Sequence, residues 1–304
     1  MKIPQPHPTA SSPFLRSILR TLCGVLLVAA FLPAPAQTPA ASAAAGNTST
    51  ATAPAALASN TTATATLPPP SHPAPYVNTA IVPVPRGGNW ISRHNGFVDL
   101  AKQGNIDVLF LGDSITDFWR DDGANSLHRG KPVWDQYYGS LKAANFGISA
   151  DRTQHVLWRL QNGEGQGFKP KVIVLMIGTN NTGPESRNNP KPRNTVPEAT
   201  AGVIAVVQEL RKDFPDAKIL LLGVFPRGAK DDPQRQQVAD INTAISALND
   251  DQHVFYLYFG DQFLGPDGNI PKDVMADALH PTTKGYQIWA DAMKDELAKL
   301  LNSQ

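Results

Sequence analysis

The sequence predicts an α/β fold, a three-layer sandwich in which helices cover both faces of a central parallel sheet. Five short apolar runs alternate with longer amphipathic stretches. Strands that are apolar on both faces are typical of buried parallel sheets. The predicted strands are IDVLFLG from Ile106, AANFGI from Ala143, KVIVLMIG from Lys171, AKILLLGVFP from Ala217 and HVFYLYFG from His253. The predicted helices are 153–161, 197–213, 233–249 and 283–301.

The first 36 residues predict a secretory signal peptide. They hold three basic side chains and no acid, then an apolar run from Leu22 to Leu32, then the small residues Ala34-Pro35-Ala36. The run is shorter than the roughly twenty apolar residues that a membrane-spanning helix needs. We therefore expect an exported protein, periplasmic or extracellular, with no stable membrane insertion after the leader is cleaved.

From Gln37 to Pro85 the chain has no charged side chain and consists almost wholly of Ala, Thr, Pro and Ser. Such a stretch has too few large apolar groups to offset the chain entropy lost on folding. Residues 37–85 are therefore predicted to be a disordered linker. Residues 86–304 are long enough for one domain with a single core.

Charge and cysteine content exclude several function classes. The 27 basic and 26 acidic residues give a formal net charge of +1. Loss of the leader removes Lys2, Arg16 and Arg20 and leaves −2, which gives no electrostatic case for binding nucleic acid or an anionic membrane. The single cysteine, Cys23, lies in the leader, so the mature domain has no disulfide and no thiol nucleophile. A lipid anchor on Cys23 is the less favoured alternative, because this cysteine opens the apolar run and does not follow it.

A serine follows the first predicted strand, in the segment Gly112-Asp113-Ser114-Ile115-Thr116. The glycine allows a sharp turn, and the serine can expose its hydroxyl at the start of the next helix, near backbone N–H donors. Taken alone, these residues also fit an ordinary turn in which a polar side chain caps a helix.

Two further segments supply candidate hydrogen-bond donors. Gly178-Thr179-Asn180-Asn181 follows the third strand, and an asparagine amide is an uncharged donor for a developing oxyanion. Residues 145–151 run from the second strand into a tight loop that contains Gly147, where a backbone N–H could be a donor. The alternative for both segments is a polar turn.

Near the C-terminal end stands Asp277-Ala278-Leu279-His280-Pro281. A carboxylate three residues before an imidazole can fold back onto the ring, orient it and stabilise the imidazolium. An isolated pair of this kind is otherwise a solvated loop. Parallel sheets bind ligands beyond the carboxyl ends of their strands. The serine, the donors and the Asp/His pair all follow strands or lie in C-terminal loops of one sheet. Together they favour acyl transfer through an activated serine.

Other chemistries have weaker signals. The remaining histidines are weaker candidates for the base, because His94 and His155 lie in helical patterns and His253 opens a strand. No His, Asp and Glu cluster has the spacing of metal ligands. No G-x-G-x-x-G follows the first strand, which disfavours a nucleotide-binding Rossmann protein. The sequence therefore predicts an enzyme without a cofactor or metal.

In these residues the chain resembles the GDSL-type, or SGNH, hydrolases. The four blocks of that family appear in order as GDSIT at 112–116, NFGISAD at 145–151, GTNN at 178–181 and DALHP at 277–281. Longer strings such as NFGISADRTQHVLWRLQNGE and PKVIVLMIGTNN look like one branch, the catalytic subunits of intracellular platelet-activating-factor acetylhydrolase. The resemblance covers about residues 88–300 and implies the SGNH, flavodoxin-like form of the α/β fold.

The resemblance also implies a role for each block. Ser114 would be the nucleophile, His280 the general base and then acid, and Asp277 the orienting carboxylate. The oxyanion would be held by the backbone N–H of Ser114, the side chain of Asn180 and the backbone N–H of Ala150, where the family has a glycine. A negative φ at residue 150 would preserve this last donor.

We therefore expect a secreted serine esterase for short-chain, acetyl-type esters, including acetylated sugars or polysaccharide. The alternatives are a lipid-directed acetylhydrolase or lysophospholipase and, less favoured, a non-catalytic carbohydrate-binding protein. Trp119, five residues beyond Ser114, and Gly147 are candidates for lining the pocket. Because the related subunits pair as dimers, the resemblance also makes a homodimer a candidate assembly.

Overall fold

The computed structural model describes residues 76–123, 129–186 and 188–303. The predicted signal peptide, the lone cysteine and most of the predicted linker lie outside these residues. None of the helices within the described residues is long and apolar enough to cross a lipid bilayer.

A five-stranded, fully parallel sheet forms the centre of the domain. Its strands are β1 (Val108–Gly112), β2 (Ala143–Gly147), β3 (Val172–Met176), β6 (Lys218–Leu222) and β7 (Val254–Leu257). They lie in the order β2-β1-β3-β6-β7. A separate antiparallel hairpin consists of β4 (Pro184–Ser186) and β5 (Asn189–Pro192). All five predicted strands are present, and the α/β prediction is confirmed.

Helices cover both faces of the sheet. They are α1 (Asn89–Lys102), α2 (Ser114–Asp117), α3 (Lys131–Tyr137), α4 (Thr153–Arg159), α5 (Val196–Asp213), α6 (Pro233–Ser246) and α7 (Thr283–Asn302). Alternate residues of β1 enter different cores, because successive side chains of a strand point to opposite faces. Leu109 and Leu111 pack with α1, α4, α5 and α6, whereas Val108 and Phe110 pack with α2, α3 and α7. The domain therefore has three layers and two apolar cores.

The sequence prediction missed α1, α3 and the hairpin. In α1 the buried residues Trp90, His94, Phe97 and Ala101 recur at helical spacing, but polar residues separate them. The predicted helix over 153–161 is present as two elements. The α-helix α4 ends at Arg159, and a π-helical turn follows at Leu160–Glu164, in which Gly163 has a φ of 114°. Gly163 adopts that angle without the steric cost that a side chain would impose.

The segment before α1 packs against the domain, so the linker boundary predicted at residue 85 lies inside folded structure. Ala80 is fully buried, and its carbonyl accepts a hydrogen bond from Thr153 Oγ1 at 2.8 Å. Val84 donates its N–H to Gln154 O at 3.3 Å. Arg86 reaches the carbonyl of Ser149 at 2.8 Å. The folded unit therefore includes residues 76–85, although their composition resembles that of the predicted linker.

Candidate active site

The serine after β1 lies at a sharp turn that only glycine permits. A Cβ at Gly112 would lie 2.5 Å from Met176 O and 2.3 Å from Thr116 Oγ1. Asp113 then caps α2, because its Oδ1 accepts the N–H of Ile115 at 3.0 Å. Ser114 is the first residue of α2 and is 7% exposed. Its hydroxyl therefore stands at a helix start, where backbone N–H groups have no partner within the helix.

A chain of hydrogen bonds joins Ser114, His280 and Asp277. Ser114 Oγ lies 2.9 Å from Nε2 of His280, and His280 Nδ1 lies 2.6 Å from Oδ2 of Asp277. The other carboxylate oxygen accepts the backbone N–H groups of Leu279 at 3.0 Å and His280 at 2.8 Å. The structure thus brings together a hydroxyl, an imidazole and a carboxylate whose sequence positions span more than half the chain.

The electrostatics of Asp277 favour its ionised form. Partial burial opposes ionisation, but the backbone N–H of His280 and its imidazole outweigh this effect and lower the pKa of Asp277. A carboxylate that remains ionised can stabilise a positive charge on the neighbouring ring.

The loop that carries Asp277 and His280 is held from two sides. Ala278 has a φ of 56°, and its carbonyl accepts the N–H of Gly228 at 2.8 Å. On the other side, Tyr286 of α7 donates its hydroxyl to Ile115 O at 2.8 Å. Because Ile115 follows the nucleophile candidate, this bond ties the start of α7 directly to α2.

Asn180 lies on the 3₁₀ turn Thr179–Asn181 that follows β3. Its Nδ2 donates to Asp151 O at 3.0 Å, and the amide has a second hydrogen that this bond does not use. Two arginines hold the turn: Arg193 donates to Asn180 O at 3.1 Å, and Arg227 donates to the carbonyl and hydroxyl of Thr179, each at 3.1 Å. The sequence analysis missed both arginines, although Arg227 lies in the string VFPRG just after β6.

The backbone at Ala150 differs from the expectation. Residue 150 has a φ of +65°, not the negative angle that would make alanine and glycine equivalent there. An alanine in this left-handed region is strained by its Cβ, whereas a glycine is not. Its N–H makes no hydrogen bond to any residue that the structure describes, and residue 150 is exposed. The negative φ expected for an alanine donor is therefore absent, but the N–H of Ala150 has no hydrogen-bond partner among the described residues and is available to a ligand at a strained position.

Both candidates for lining the pocket have a packing role in the structure. Trp119 is fully buried, and its ring packs against Tyr286 and Trp289 at centroid distances of 4.4 and 4.9 Å. It supports α2 and α7 from behind and presents no surface to a substrate. A Cβ at Gly147 would lie 2.3 Å from the backbone N of Asp117, so this glycine allows β2 to approach α2 closely.

A buried ionic cluster lies outside the predicted site. Glu164 accepts from Arg159 at 2.9 Å and lies 2.7 Å from His94 Nδ1, and these three side chains are at most 5% exposed. Arg159 also pairs with Asp151 at 3.0 Å. The sequence analysis found no acid near His94 because Glu164 is 70 residues away and only the fold brings the two together.

Across residues 76–123, 129–186 and 188–303, no three His, Cys, Asp or Glu side chains form a group that could hold a metal ion. The chemistry that the arrangement supports is nucleophilic attack by a serine with an imidazole as base.

Comparisons with known proteins show what the chain is similar to. The profile of the GDSL-like lipase/acylhydrolase family matches residues 110–288. The human platelet-activating factor acetylhydrolase IB subunit alpha2 is 38% identical over 213 residues, which cover 70% of this chain and 85% of that protein. The human alpha1 subunit is 34% identical over 224 residues, 73% of this chain and 89% of that protein. Among solved structures, a GDSL-like lipase from Bacteroides thetaiotaomicron superposes with a TM-score of 0.52 at 16% identity, over 68% of this chain and 97% of that one. This last likeness concerns the fold.

Proposed function

The chain belongs to the GDSL-like lipase/acylhydrolase family and is a hydrolase that acts on esters. From that premise we propose that it is an exported serine esterase that cleaves short-chain, acetyl-type esters with Ser114, His280 and Asp277 as its catalytic residues. The observation that carries the proposal is the unbroken chain of contacts from Ser114 Oγ to His280, 2.9 Å, and from His280 to Asp277, 2.6 Å.

In the first half of the reaction, Ser114 Oγ attacks the ester carbonyl while His280 Nε2 takes the hydroxyl proton. The Oγ–Nε2 distance of 2.9 Å is within the reach that proton transfer to a general base requires. Asp277 holds the ring with Nδ1 towards its carboxylate and stabilises the imidazolium that forms. The proton then passes from Nε2 to the leaving alcohol, and an acyl-serine remains.

The negative charge of the tetrahedral intermediate is held by three donors. They are the backbone N–H groups of Ser114 and Ala150 and the free hydrogen of the Asn180 amide. Because such donors are already oriented before the charge develops, loss of one costs roughly 10²- to 10³-fold in turnover.

In the second half, water replaces the alcohol. His280 removes a proton from the water as it attacks the acyl-serine, and returns a proton to Ser114 Oγ as the ester bond to the enzyme breaks. The products are a carboxylic acid and the free enzyme, and no cofactor takes part in either half.

The acyl group that we propose is short. Two relatives are named acetylhydrolases, and the methyl group of Ala150, where the family resemblance implies a glycine, takes up space beside the oxyanion. The composition of residues 1–85 supports export, which suits an acetylated sugar or polysaccharide as the alcohol part of the substrate. The relatives' name favours a second candidate, a lipid-directed acetylhydrolase. Assembly as a homodimer is a further proposal that rests on the same relatives.

The experiment is hydrolysis of p-nitrophenyl esters of increasing chain length, beside release of acetate from an acetylated oligosaccharide. We expect rapid turnover of acetyl esters and a steep decline with chain length. Ser114→Ala should abolish turnover without a change in melting temperature. Ser246→Ala is the matched control, because Ser246 lies in α6 and its hydroxyl donates only to Thr243 O, at 2.8 Å. Preference for long chains would favour the lipid-directed alternative, and full activity of Ser114→Ala would contradict the mechanism.

Export is tested separately. Expression of the full chain in a bacterial host, followed by cell fractionation and mass measurement, should yield a mature chain that begins near Gln37 outside the cytoplasm. An intact chain confined to the cytoplasm would contradict this part of the proposal.

A further inference from the structure

The residues on both sides of strained Ala150 are clamped by charged groups. Ser149 precedes it, Asp151 follows it, and Arg86 bridges the two by donating to Ser149 O at 2.8 Å and to Asp151 Oδ1 at 3.0 Å. Because alanine disfavours a φ of +65°, surrounding contacts must maintain this conformation. The contacts that hold the loop therefore determine where the N–H of Ala150 points.

The most direct clamp comes from the nucleophile's own helix. Asp117 is the last residue of α2, three positions after Ser114, and is 4% exposed. Its Oδ2 accepts the backbone N–H of Ser149 at 3.0 Å and the Ser149 hydroxyl at 2.8 Å. One carboxylate thus connects the helix that carries Ser114 to the residue immediately before Ala150.

The Asp117 carboxylate is itself immobilised. Arg93 of α1 donates to both of its oxygens, at 2.6 and 2.7 Å, and Arg120 lies 3.3 Å from Oδ1. Arg93 also donates to Gly147 O at 2.9 Å, so it holds the end of β2 in place with the same guanidinium. Burial raises the pKa of Asp117, but the hydrogen bond from Arg93 and the charge of Arg120 outweigh it and lower the pKa. A bidentate pair of this kind fixes orientation as well as charge.

Asp151 holds the other side of the loop. Its Oδ1 accepts from Trp90 Nε1 at 2.7 Å, and its backbone carbonyl accepts from the Asn180 amide at 3.0 Å. On the C-terminal side of Ala150, Asp151 therefore links the loop to Asn180. On the N-terminal side, Ser149 links the loop through Asp117 to the helix of Ser114.

We propose that Asp117 is a positioning residue for the oxyanion hole: by holding Ser149 it keeps Ala150 left-handed and aims its N–H at the point that the Ser114 N–H also faces. The inference rests on the proposed function, in which both N–H groups bind the oxyanion. The three oxyanion donors come from three separate segments. Asp117 sets the distance between two of these donors, the N–H groups of Ser114 and Ala150. A glycine at position 150 would need this support less, because it adopts the left-handed region without strain.

The test is a double-mutant cycle with Asp117→Asn and Ala150→Gly, assayed on p-nitrophenyl acetate. The amide that Asp117→Asn introduces has one acceptor oxygen, so it cannot accept every hydrogen bond that the carboxylate accepts from Arg93 and Ser149. We expect Asp117→Asn to lower kcat by roughly 10- to 100-fold with little change in KM, as for a small displacement of a catalytic group. In the Ala150→Gly background the same substitution should cost at least about threefold less, since the cycle measures coupling between the two positions. Binding of a trifluoromethyl ketone, whose adduct carries an oxyanion, should weaken in proportion to kcat/KM.

Two further variants keep the result interpretable. Ser149→Ala removes only the hydroxyl contact to Asp117 and leaves the Arg93 pair intact, so it should fold and give a smaller loss of kcat in the same direction. Asp135→Asn is the control, because Asp135 is an exposed carboxylate that pairs with Lys131 at 2.7 Å on α3, and it should leave kcat unchanged.

The outcomes separate this inference from the proposed function. An equal loss of kcat in the wild-type and Ala150→Gly backgrounds would overturn the inference, as would a rise in KM at constant kcat. If Asp117→Asn does not fold, the same comparison with Ser149→Ala decides the question. Activity in Ser114→Ala would overturn the proposed function itself, whereas inactive Ser114→Ala with additive Asp117 and Ala150 effects would overturn only the inference.

Discussion

The Asp277 carboxylate contacts His280 twice: Oδ2 lies 2.6 Å from the ring Nδ1, and Oδ1 accepts the backbone N–H of the same residue at 2.8 Å. The side chain therefore holds the imidazole and its main chain together across a turn in which Ala278 has a φ of 56°. The two side chains lie within four consecutive residues, and the contact of Gly228 with Ala278 O at 2.8 Å holds their turn from outside. The serine that it serves lies 166 residues away from His280.

Asp277→Asn should lower kcat on p-nitrophenyl acetate by roughly 10³- to 10⁴-fold at pH 7, because an amide cannot stabilise the imidazolium and favours the wrong ring tautomer. In the wild type the pKa of Asp277 is lowered, so its favourable contribution to folding is present at neutral pH and is lost only as pH falls through that lowered value. Asp273→Asn is the control, since Asp273 pairs with Lys284 on the surface. A decrease of less than tenfold in Asp277→Asn would contradict the assigned role.

Two neighbouring asparagines should affect different properties: Asn180 should affect activity, and Asn181 should affect stability. Asn180→Ala should reduce kcat roughly 10²- to 10³-fold with a nearly unchanged free energy of unfolding, because its side chain serves the oxyanion. Asn181 is fully buried, accepts the N–H of Thr153 at 3.1 Å and donates to Asn194 Oδ1 at 2.9 Å. Asn181→Ala should therefore lower the free energy of unfolding by about 2–4 kcal/mol, because it leaves buried groups without partners. Steady-state kinetics and urea unfolding of both variants provide the comparison, and equal effects on kcat would contradict it.

Asp113 should make the protein less stable as pH rises. Burial raises the pKa of Asp113 to about 7, although the N–H of Ile115 partly opposes this. Between an ordinary aspartate pKa near 4 and about 7, the unfolded chain ionises at this position while the folded chain keeps its proton. Stability therefore falls across this pH range, by up to about 4 kcal/mol at about 1.4 kcal/mol per pKa unit, and is level above it.

Asp113→Asn removes that titration and still offers an oxygen to Ile115. Urea unfolding at pH 4, 5.5 and 8 should show a smaller loss of stability with rising pH in the variant than in the wild type. Parallel curves for the two proteins would show that the Asp113 side chain is ionised in the folded state at ordinary pH, contrary to this prediction.

Glu164 should matter for stability far more than an exposed glutamate does. Glu164→Gln leaves Asp151, which also pairs with Arg86, to compensate the charge of the fully buried Arg159 and should cost about 3–5 kcal/mol of unfolding free energy. Glu185→Gln is the matched control, because Glu185 is 46% exposed and lies 3.4 Å from Arg152. It should cost about 0–1 kcal/mol. Chemical denaturation measures both, and a similar cost for the two variants would contradict the importance of burial.

Some errors of the sequence analysis have a common origin. Trp119 was a candidate for lining the pocket because it follows Ser114 closely in the chain, but the aromatic side chains of α3 and α7 enclose it. Residues 76–85 look like linker by composition, yet Ala80 is buried against Thr153. In both cases the deciding contacts come from segments far away in the chain, which composition and local spacing do not contain.

By itself, the sequence determined the α/β class, the positions of the five parallel strands, the family and the residues whose chemistry suits an esterase. These features follow from local hydrophobic patterns and from short motifs that specify their own turns. Only the tertiary structure decided that Glu164 pairs with His94, that Arg193 and Arg227 hold the Asn180 turn, and that Asp117 ties Ala150 to the helix of Ser114. The physical reason is that a buried charge needs an oppositely charged partner close to it in the folded structure. The crossovers of a parallel sheet bring together such residues even when they lie far apart along the chain.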